Sequence, residues 1–331
     1  MPYKKLNNTL KFLIGTVIVF GNTFFILQFL FIPGVIWNFG LYGFLVFSVV
    51  VFMFCKDYLR SKFFSYGLSL LILSCFADLT WSSIQNEKLV DENLTTEVKI
   101  MSYNLSFRNE NLNSSCSIIK QANPDVLFVQ ELTSDWSKKI ASSIGERYPF
   151  QEKVILERSR GIGIYSKFKI GKSTTLNKSN NKPFAQMVDL TIADKSIQLI
   201  NVHLTSPQRA LKEKENFFSI YSQNYQTRKA ELAAINKYAD EGMHKFECQF
   251  LVGDFNTVKY EPIFKKLQKY WVNTFDKVGF GFGLNFPNSK TIPPVITIDY
   301  IMAKGKTRCL KSEVLKGGDS DHLAIMTKMQ I

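Results

Sequence analysis

The chain has 331 residues, of which 46% are hydrophobic, and its formal net charge is +13. This length allows one large domain or two smaller ones, and the apolar content is typical of a globular protein and argues against a disordered chain. The 5 cysteines include no C-x-x-C pair, which argues against a structural zinc site.

The N-terminal quarter of the chain contains three long apolar segments. Residues 12–32 and 35–55 carry no charge, and residues 63–81 carry only Asp78. A helix of about 20 apolar residues crosses the hydrocarbon core of a bilayer. The sequence therefore predicts a transmembrane anchor of three helices over residues 1–81.

A signal peptide or the buried helices of a soluble domain would account for these segments less well. A cleaved signal peptide would be followed by a small-x-small cleavage site, which is absent here, and two more apolar segments follow instead. Buried helices of a soluble domain rarely contain uncharged runs of this length. The basic residues of the region lie before the first segment and between the second and third: Lys4, Lys5, Lys11, Lys56, Arg60 and Lys62. Because such residues favour the cytoplasmic side, we expect a multi-pass membrane protein whose residues after 82 are extracytoplasmic.

The polar segment 82–96 is predicted to be a linker, and residues 97–331 are long enough to form one substantial core. This second part has 34 Lys and Arg residues against 23 Asp and Glu residues, a net charge of +11. Such a field attracts phosphates, nucleic acid or anionic lipid headgroups, although a lysine-rich solvated surface would have the same composition. Its cysteines, Cys116, Cys248 and Cys309, allow either one disulfide with a remaining thiol or three buried thiols.

Short strands and helices alternate along residues 97–331, a pattern that predicts an α/β sandwich of two packed mixed sheets with helices outside, in four layers. Strands are predicted at 97–105, 125–132, 161–170, 184–192, 196–204, 249–255, 295–303, 307–315 and 322–330. Helices are predicted at 112–122, 135–144, 208–240 and 261–269.

Acidic, amide and imidazole side chains recur where the apolar strands begin or end, which is where chemistry is commonly placed on a rigid sheet. They are Asn104, Gln130-Glu131, Asn201-Val202-His203, Gly253-Asp254-Phe255-Asn256, Asp299-Tyr300 and Asp321-His322. Carboxylates and amides suit a hard cation such as Mg²⁺ or Mn²⁺, which would neutralise a phosphoryl group. His322 could act as a general base on water if a carboxylate orients its second nitrogen. This combination of groups predicts phosphoester hydrolysis.

The order of these motifs resembles the endonuclease/exonuclease/phosphatase superfamily, including its membrane-anchored bacterial members. The resemblance runs from about residue 98 to the C-terminus, and the strand Arg160–Ser166 is also similar to the one in that family. It implies a metal site formed by Glu131, Asn104 and Asp321, with Glu131 as the direct ligand.

The same resemblance implies catalytic roles for five further residues. Asp254 would position or activate the attacking water, Asn256 would hold a phosphate oxygen, and His203 would contact the scissile phosphate. His322 would pair with Asp299, and either His322 or a metal-bound hydroxide would take the proton. Asp319 matches no motif and is interpreted as a loop residue.

Three functions remain open for a chain of this family. A membrane-anchored phosphatase or phosphodiesterase acting on a lipid-linked or small envelope phosphate is favoured by the predicted anchor. An extracytoplasmic nuclease would suit the basic domain, and a catalytically inactive binding module is disfavoured because every motif is intact. Nothing in the sequence indicates a protein partner.

Two further features could border the substrate. The loop Gly279–Pro287 is rich in glycine and aromatic residues, and either contacts the substrate or packs its Phe side chains in the interior. Four arginines are candidate phosphate-binding residues without motif support: Arg158, Arg160, Arg209 and Arg228.

Overall fold

The structure, a computed structural model, describes residues 94–159, 161–178, 181–213 and 216–331. The predicted anchor of residues 1–81, most of the predicted linker and Arg160 lie outside this part of the chain. Among the described helices, none is long and apolar enough to cross a bilayer.

Twelve strands and six α-helices are formed by the described residues. The strands are β1 (Glu97–Asn104), β2 (Val126–Gln130), β3 (Phe150–Val154), β4 (Ile162–Ser166), β5 (Ile170–Asn177), β6 (Pro183–Ile192), β7 (Lys195–His203), β8 (Cys248–Asp254), β9 (Val272–Asn273), β10 (Asp299–Gly305), β11 (Arg308–Leu315) and β12 (Ala324–Gln330). The helices are α1 (Leu112–Ala122), α2 (Ser134–Ile144), α3 (Gln208–Lys212), α4 (Phe217–Gly242), α5 (Pro262–Leu267) and α6 (Thr274–Val278).

The strands form two six-stranded sheets. The first has the order β11-β12-β1-β2-β4-β3, and the second has the order β5-β6-β7-β8-β10-β9. Within them β1 and β2 are parallel, as are β7 and β8, while the other pairs are antiparallel. Both sheets are therefore mixed, as the sequence predicts.

Alternation along the strands explains how the layers form. In β1, Val98 and Ile100 belong to the core between the two sheets, whereas Met101 and Tyr103 pack on the opposite face among residues of α1 and α2. Successive side chains of a strand point to opposite faces, so an apolar strand of this kind must be covered on both sides. The two sheets consequently pack together with helices on their outer faces.

The second sheet repeats this arrangement. Phe250 and Val252 of β8 face the core between the sheets, while Leu251 packs with Leu232 and Ile235 of α4 on the outer face. The spacing of the apolar residues on α4 matches one face of a helix. The predicted sandwich of two mixed sheets with outer helices is confirmed.

Some predicted elements differ from the structure. The single helix predicted at 208–240 was wrong, because α3 ends at Lys212 and α4 begins only at Phe217. The strand predicted at 161–170 is interrupted after Ser166, whose hydroxyl accepts a hydrogen bond from the Phe168 N–H. Strand β3 was missed, since its residues are all half-buried and lack clear alternation. Cys116, Cys248 and Cys309 are free thiols.

The topology brings the polar strand ends to one edge of the sandwich. Asn104 is aligned with Gln130 across the first sheet, and Asp254 is aligned with both His203 and Asp299 across the second. Strand β12 runs antiparallel to β1, so its first residues also lie at this edge. Every predicted motif in the described residues therefore lies at the same end of the molecule.

Candidate functional site

Asp254 connects the two sheets at this edge. Its Oδ2 atom accepts a hydrogen bond from Nδ2 of Asn104 on the first sheet at 3.0 Å, and its Oδ1 atom accepts one from the Asn256 N–H at 2.8 Å. The side chain is almost fully buried. Because a buried carboxylate needs such donors, its orientation is fixed from both sides.

His322 and Asp299 form the second pair of the site. Nδ1 of His322 lies 2.9 Å from Oδ2 of Asp299, and Nε2 of His322 lies 4.0 Å from Oδ2 of Asp254. The ring of Phe286 packs on the imidazole with centroids 4.7 Å apart. The hydrogen bond to Asp299 fixes which imidazole nitrogen faces Asp254.

The backbone of Asp299 is in turn held by Asn285, a fully buried residue that belongs to none of the predicted motifs. Nδ2 of Asn285 donates to the Asp299 carbonyl at 2.8 Å, and its Oδ1 accepts from the N–H groups of Ile298 and Asp299. These contacts come from the loop Gly279–Pro287. That loop therefore supports the His322–Asp299 pair from behind.

His203 and Asn256 also lie beside Asp254. Nε2 of His203 is 3.7 Å from Oδ2 of Asp254, while its buried Nδ1 has no partner among the described residues. Nδ2 of Asn256 donates to the Leu204 carbonyl at 3.2 Å, and its backbone has a left-handed φ of 49°. Strained backbone of this kind persists where the surroundings fix it, as is common at functional sites.

The end of strand β8 requires a glycine. Gly253 has a φ of 140°, and a Cβ atom placed on it would lie 2.1 Å from the Val202 carbonyl oxygen of the neighbouring strand. Only a residue without a side chain fits this close approach. The glycine of the Gly253–Asn256 motif thus allows Asp254 to end its strand directly beside His203.

Glu131 follows β2 and is half-buried at the same edge. Its Oε2 atom accepts a hydrogen bond from the Phe107 N–H at 2.9 Å, and its own backbone φ is 61°. Among the described residues its Oε1 atom makes no hydrogen bond. Asp321 is exposed, and its charge acts on both Glu131 and His322.

The carboxylates of the site are buried and lie close to one another, which changes their pKa values. Burial raises the pKa of Asp254 to about 7, and repulsion from Asp299 acts in the same direction. Burial also raises the pKa of Glu131, against the opposing influence of the Phe107 N–H. For His322, burial lowers the pKa, but attraction to Asp299, Asp254 and Asp321 together outweighs it and raises the pKa to about 10. The site therefore favours added positive charge.

These residues fit a divalent cation. Ligand atoms of Asp254, Asp299 and His322 lie within 4.8 Å of one another, and the buried Oδ1 atom of Asp299 has no hydrogen-bond partner among the described residues. This group differs from the predicted metal residues Glu131, Asn104 and Asp321. All of them lie at one edge, and carboxylate and carboxamide oxygens are the donors that Mg²⁺ and Mn²⁺ take.

Lys178, Lys182 and the buried Glu231 border the site, and the sequence patterns did not identify them as site residues. Lys178 forms an ion pair with Glu231 at 2.8 Å and a hydrogen bond with the Thr205 hydroxyl, two residues after His203. Burial lowers the pKa of Lys182, as does Lys178, while the charges of Glu131, Glu231 and Asp254 act against this. Two lysines within five residues of the sequence, between strands that lead to the site, could have indicated this basic edge.

Of the four candidate arginines, the structure describes the side chains of Arg158 and Arg228 only. Arg228 is fully buried and pairs with Glu261 at 3.1 Å, so its interpretation as a phosphate-binding residue was wrong. Arg158 is exposed. Arg160 and the side chain of Arg209 lie outside the described part of the chain. Asp319 is a surface residue whose Oδ2 accepts a hydrogen bond from Asn111.

A family model described as "Endonuclease/Exonuclease/phosphatase family" matches residues 101–322. The chain belongs to the endonuclease/exonuclease/phosphatase family. The match covers every motif of the site and about two thirds of the sequence. As a member of this family, the chain is a metal-dependent phosphoric ester hydrolase.

Solved structures of the same fold come from animals and bacteria. Truncated TDP2 from Caenorhabditis elegans is 18% identical over 72% of this chain and 100% of its own, with a TM-score of 0.57. TDP2 from D. rerio, solved with a single-stranded DNA product, is 16% identical over the same shares, also with a TM-score of 0.57. Beta toxin from Staphylococcus aureus is 17% identical over 70% of this chain and 99% of its own, with a TM-score of 0.53.

At these identities the likeness to solved structures establishes the fold. A search of curated protein sequences finds no match. The choice of phosphoester therefore has to be argued from this chain itself.

Proposed function

We propose that the protein is a membrane-anchored, divalent-metal-dependent phosphoesterase that hydrolyses a lipid-linked or small envelope phosphate by attack of water. The observation that carries this proposal is the convergence on Asp254, which contacts Asn104 at 3.0 Å and lies within 4.0 Å of both His203 and His322. A buried carboxylate surrounded by these donors can hold and polarise a water molecule beside a phosphorus atom.

Each catalytic residue has a position that suits its role. Asp254 positions and activates the attacking water, because Asn104 and Asn256 fix both of its oxygens. His322, oriented by Asp299, and His203 face the same point and stabilise the charge that gathers on the phosphoryl oxygens. Asn256 holds a phosphate oxygen beside them.

Glu131, Asn104 and Asp321 hold the Mg²⁺ or Mn²⁺ ion in this proposal. One support is the desolvated Glu131 carboxylate, which has an oxygen without a hydrogen bond in the described residues. The other is the hydrogen bond between His322 and Asp299, because these two groups already bind each other. When bound, such an ion neutralises the phosphoryl group and stabilises its developing charge. The lysines at positions 178 and 182 add attraction for an anionic substrate.

Membrane anchoring favours a lipid-linked or envelope phosphate. The three apolar segments in residues 12–81 would hold the domain near phosphate headgroups, and the basic residues around them would place residues 97–331 on the extracytoplasmic side. A reporter fused to the C-terminus tests this topology. A reporter signal that places the C-terminus in the cytoplasm would contradict the proposed topology.

A nuclease is the second candidate. The net charge of +11 over residues 97–331 suits a polyanion, and a structural neighbour from D. rerio was solved with a single-stranded DNA product. A binding module without catalysis is disfavoured, because each motif residue in the described part of the chain is retained and lies at one edge.

The decisive experiment assays the full chain in detergent. Plasmid DNA and a panel of lipid phosphates and pyrophosphates are incubated with Mg²⁺, with Mn²⁺ and with EDTA. Hydrolysis of a lipid phosphate that EDTA abolishes supports the proposal, and cleavage of DNA alone supports the nuclease. The variant His322→Ala should lose activity and Asp319→Ala should keep it. If no phosphoester is hydrolysed, or if His322→Ala is as active as the parent, the proposal fails.

A further inference from the structure

An exposed pair of aromatic side chains stands at the tip of the loop between α6 and β10. We name residues 279–283, Gly-Phe-Gly-Phe-Gly, the aromatic loop. Phe280 is 99% exposed and Phe282 is 51% exposed. A Cβ atom placed on Gly281 between them would meet nothing within 4 Å, so this tip projects away from the rest of the domain. Neighbouring exposed large apolar side chains of this kind mark an interaction surface.

The aromatic loop is continuous with the wall of the active site. Two residues beyond it, Asn285 holds the backbone of Asp299, and Phe286 packs on His322. The loop is pinned from its other side by Thr297, whose hydroxyl donates to the Gly283 carbonyl at 2.8 Å. The chain therefore runs directly from the aromatic loop into the wall of the active site.

Basic residues accompany the exposed rings. Lys277 lies at the end of α6, immediately before the loop, and Lys259 lines one cavity together with Phe282 and Asp299. Lys259 is only loosely paired, with its Nζ 3.9 Å from Asp276. Aromatic side chains flanked by lysines suit the interface of a lipid bilayer, where apolar acyl chains meet anionic headgroups.

We propose that the aromatic loop inserts Phe280 into the surface of a lipid bilayer and thereby delivers lipid phosphates to the site. The inference rests on the proposed function for its substrate, but the insertion itself is independent of catalysis. A bilayer is preferred over a protein partner because the three apolar segments before residue 82 would keep this domain permanently beside one. The aromatic loop would then reach the bilayer without any additional targeting signal.

Fluorescence of the variant Phe280→Trp tests the insertion directly. The full chain is reconstituted in vesicles of phosphatidylcholine and phosphatidylglycerol, with and without brominated phosphatidylcholine as a quencher, and the signal of the parent protein is subtracted. We expect the added tryptophan to emit at shorter wavelength and to be quenched. The matched control is Phe218→Trp, at an exposed Phe on α4, which should not be quenched. An unquenched tryptophan at position 280 would overturn the inference.

Turnover of the variant Phe280→Ser connects insertion to function. Removing one inserted aromatic ring should lower hydrolysis of a lipid phosphate in vesicles about ten-fold or more, while hydrolysis of soluble bis(4-nitrophenyl) phosphate and the activity of Phe218→Ser stay unchanged. Equal loss on both substrates, or no loss on either, would contradict delivery by the loop. If the parent protein hydrolyses neither substrate, the proposed function fails, and the quenching result still decides the insertion.

Discussion

Asp254 accepts hydrogen bonds from Asn104 of the first sheet and from the Asn256 N–H that follows β8, so the residues of the site should depend on one another. Asn104 approaches it from the first sheet, whereas His203 and Asp299 are aligned with it in the second. His322 reaches the same point through its hydrogen bond to Asp299. Residues that share a partner in this way should give non-additive effects when they are replaced together.

The substitution Asp299→Asn should lower kcat on a soluble phosphodiester by about 100-fold or more. The amide removes the charge that orients and stabilises the His322 imidazolium, and positioned proton-transfer groups contribute at least this much. Steady-state kinetics measures the loss, and circular dichroism verifies the fold. Asp319→Asn is the control at the surface, and a kcat within two-fold of the parent for Asp299→Asn would contradict the pairing as a functional element.

The substitution Glu131→Gln should raise the Mg²⁺ concentration needed for half-maximal activity by about ten-fold or more, since a neutral amide attracts a cation less strongly than a carboxylate does. Titration of activity with Mg²⁺ measures the shift. Asp135→Asn, at the exposed start of α2, is the matched control. An unchanged Mg²⁺ requirement would move the ion to the group of Asp254, Asp299 and His322.

At the scale of elements, the long helix α4 is fixed by buried charge as well as by its apolar face. Arg228 pairs with Glu261, which also accepts a hydrogen bond from the Tyr221 hydroxyl, and all three side chains are buried. One turn further along, Glu231 binds Lys178 and the Thr205 hydroxyl beside the site. Helix α4 therefore links the outer layer of the sandwich to the basic edge of the site.

The substitution Arg228→Ala should destabilise the domain by about 3 to 5 kcal/mol, because it leaves the Glu261 carboxylate buried without its partner. Urea denaturation followed by fluorescence measures the change in the free energy of unfolding. The exposed neighbour Lys229 provides the control, and Lys229→Ala should cost less than about 0.5 kcal/mol. A similar small cost for Arg228→Ala would show that water reaches the pair.

At the scale of the whole molecule, a polar bridge joins the two sheets near the site. Nδ2 of Asn201 on β7 donates to the carbonyls of Val129 and Gly163 in the first sheet, and its Oδ1 accepts from Gln130. These contacts cross the apolar core between the sheets. They set how the strand ends of one sheet meet those of the other.

The substitution Asn201→Ala should therefore destabilise the fold by about 2 to 4 kcal/mol, through three lost hydrogen bonds and the buried groups left without partners. It should also lower kcat, because the two halves of the site come from different sheets. Urea denaturation and steady-state kinetics measure the two effects. Asn177→Ala, at an exposed position of β5, should leave both unchanged. If Asn201→Ala were inactive but as stable as the parent protein, Asn201 would align the two sheets for activity without contributing to stability.

The sequence predicts the sandwich and most of the site because strand ends are local features. Apolar runs that stop at Asn104, Glu131, His203 and Asp254 could be recognised without knowing how the strands pair. The supporting residues could not, since Asn285 and Asn201 act through contacts between distant segments of the chain. Turn residues such as Lys178 were missed for the same reason, because only packing against α4 gives the lysine its partner.

The direction of β1 has a consequence for the proposed membrane anchor. The strand begins at Glu97 and reaches the site only at Asn104, so the end of the strand from which the proposed anchor would lead lies about 23 Å from the reacting groups, at the opposite end of the sheet. The 15 residues of segment 82–96 can extend to about 50 Å, roughly twice that distance. In the proposed anchored protein, a tether of this length would let the domain turn over and face the bilayer with its catalytic edge. A much shorter one would hold that edge toward the solvent.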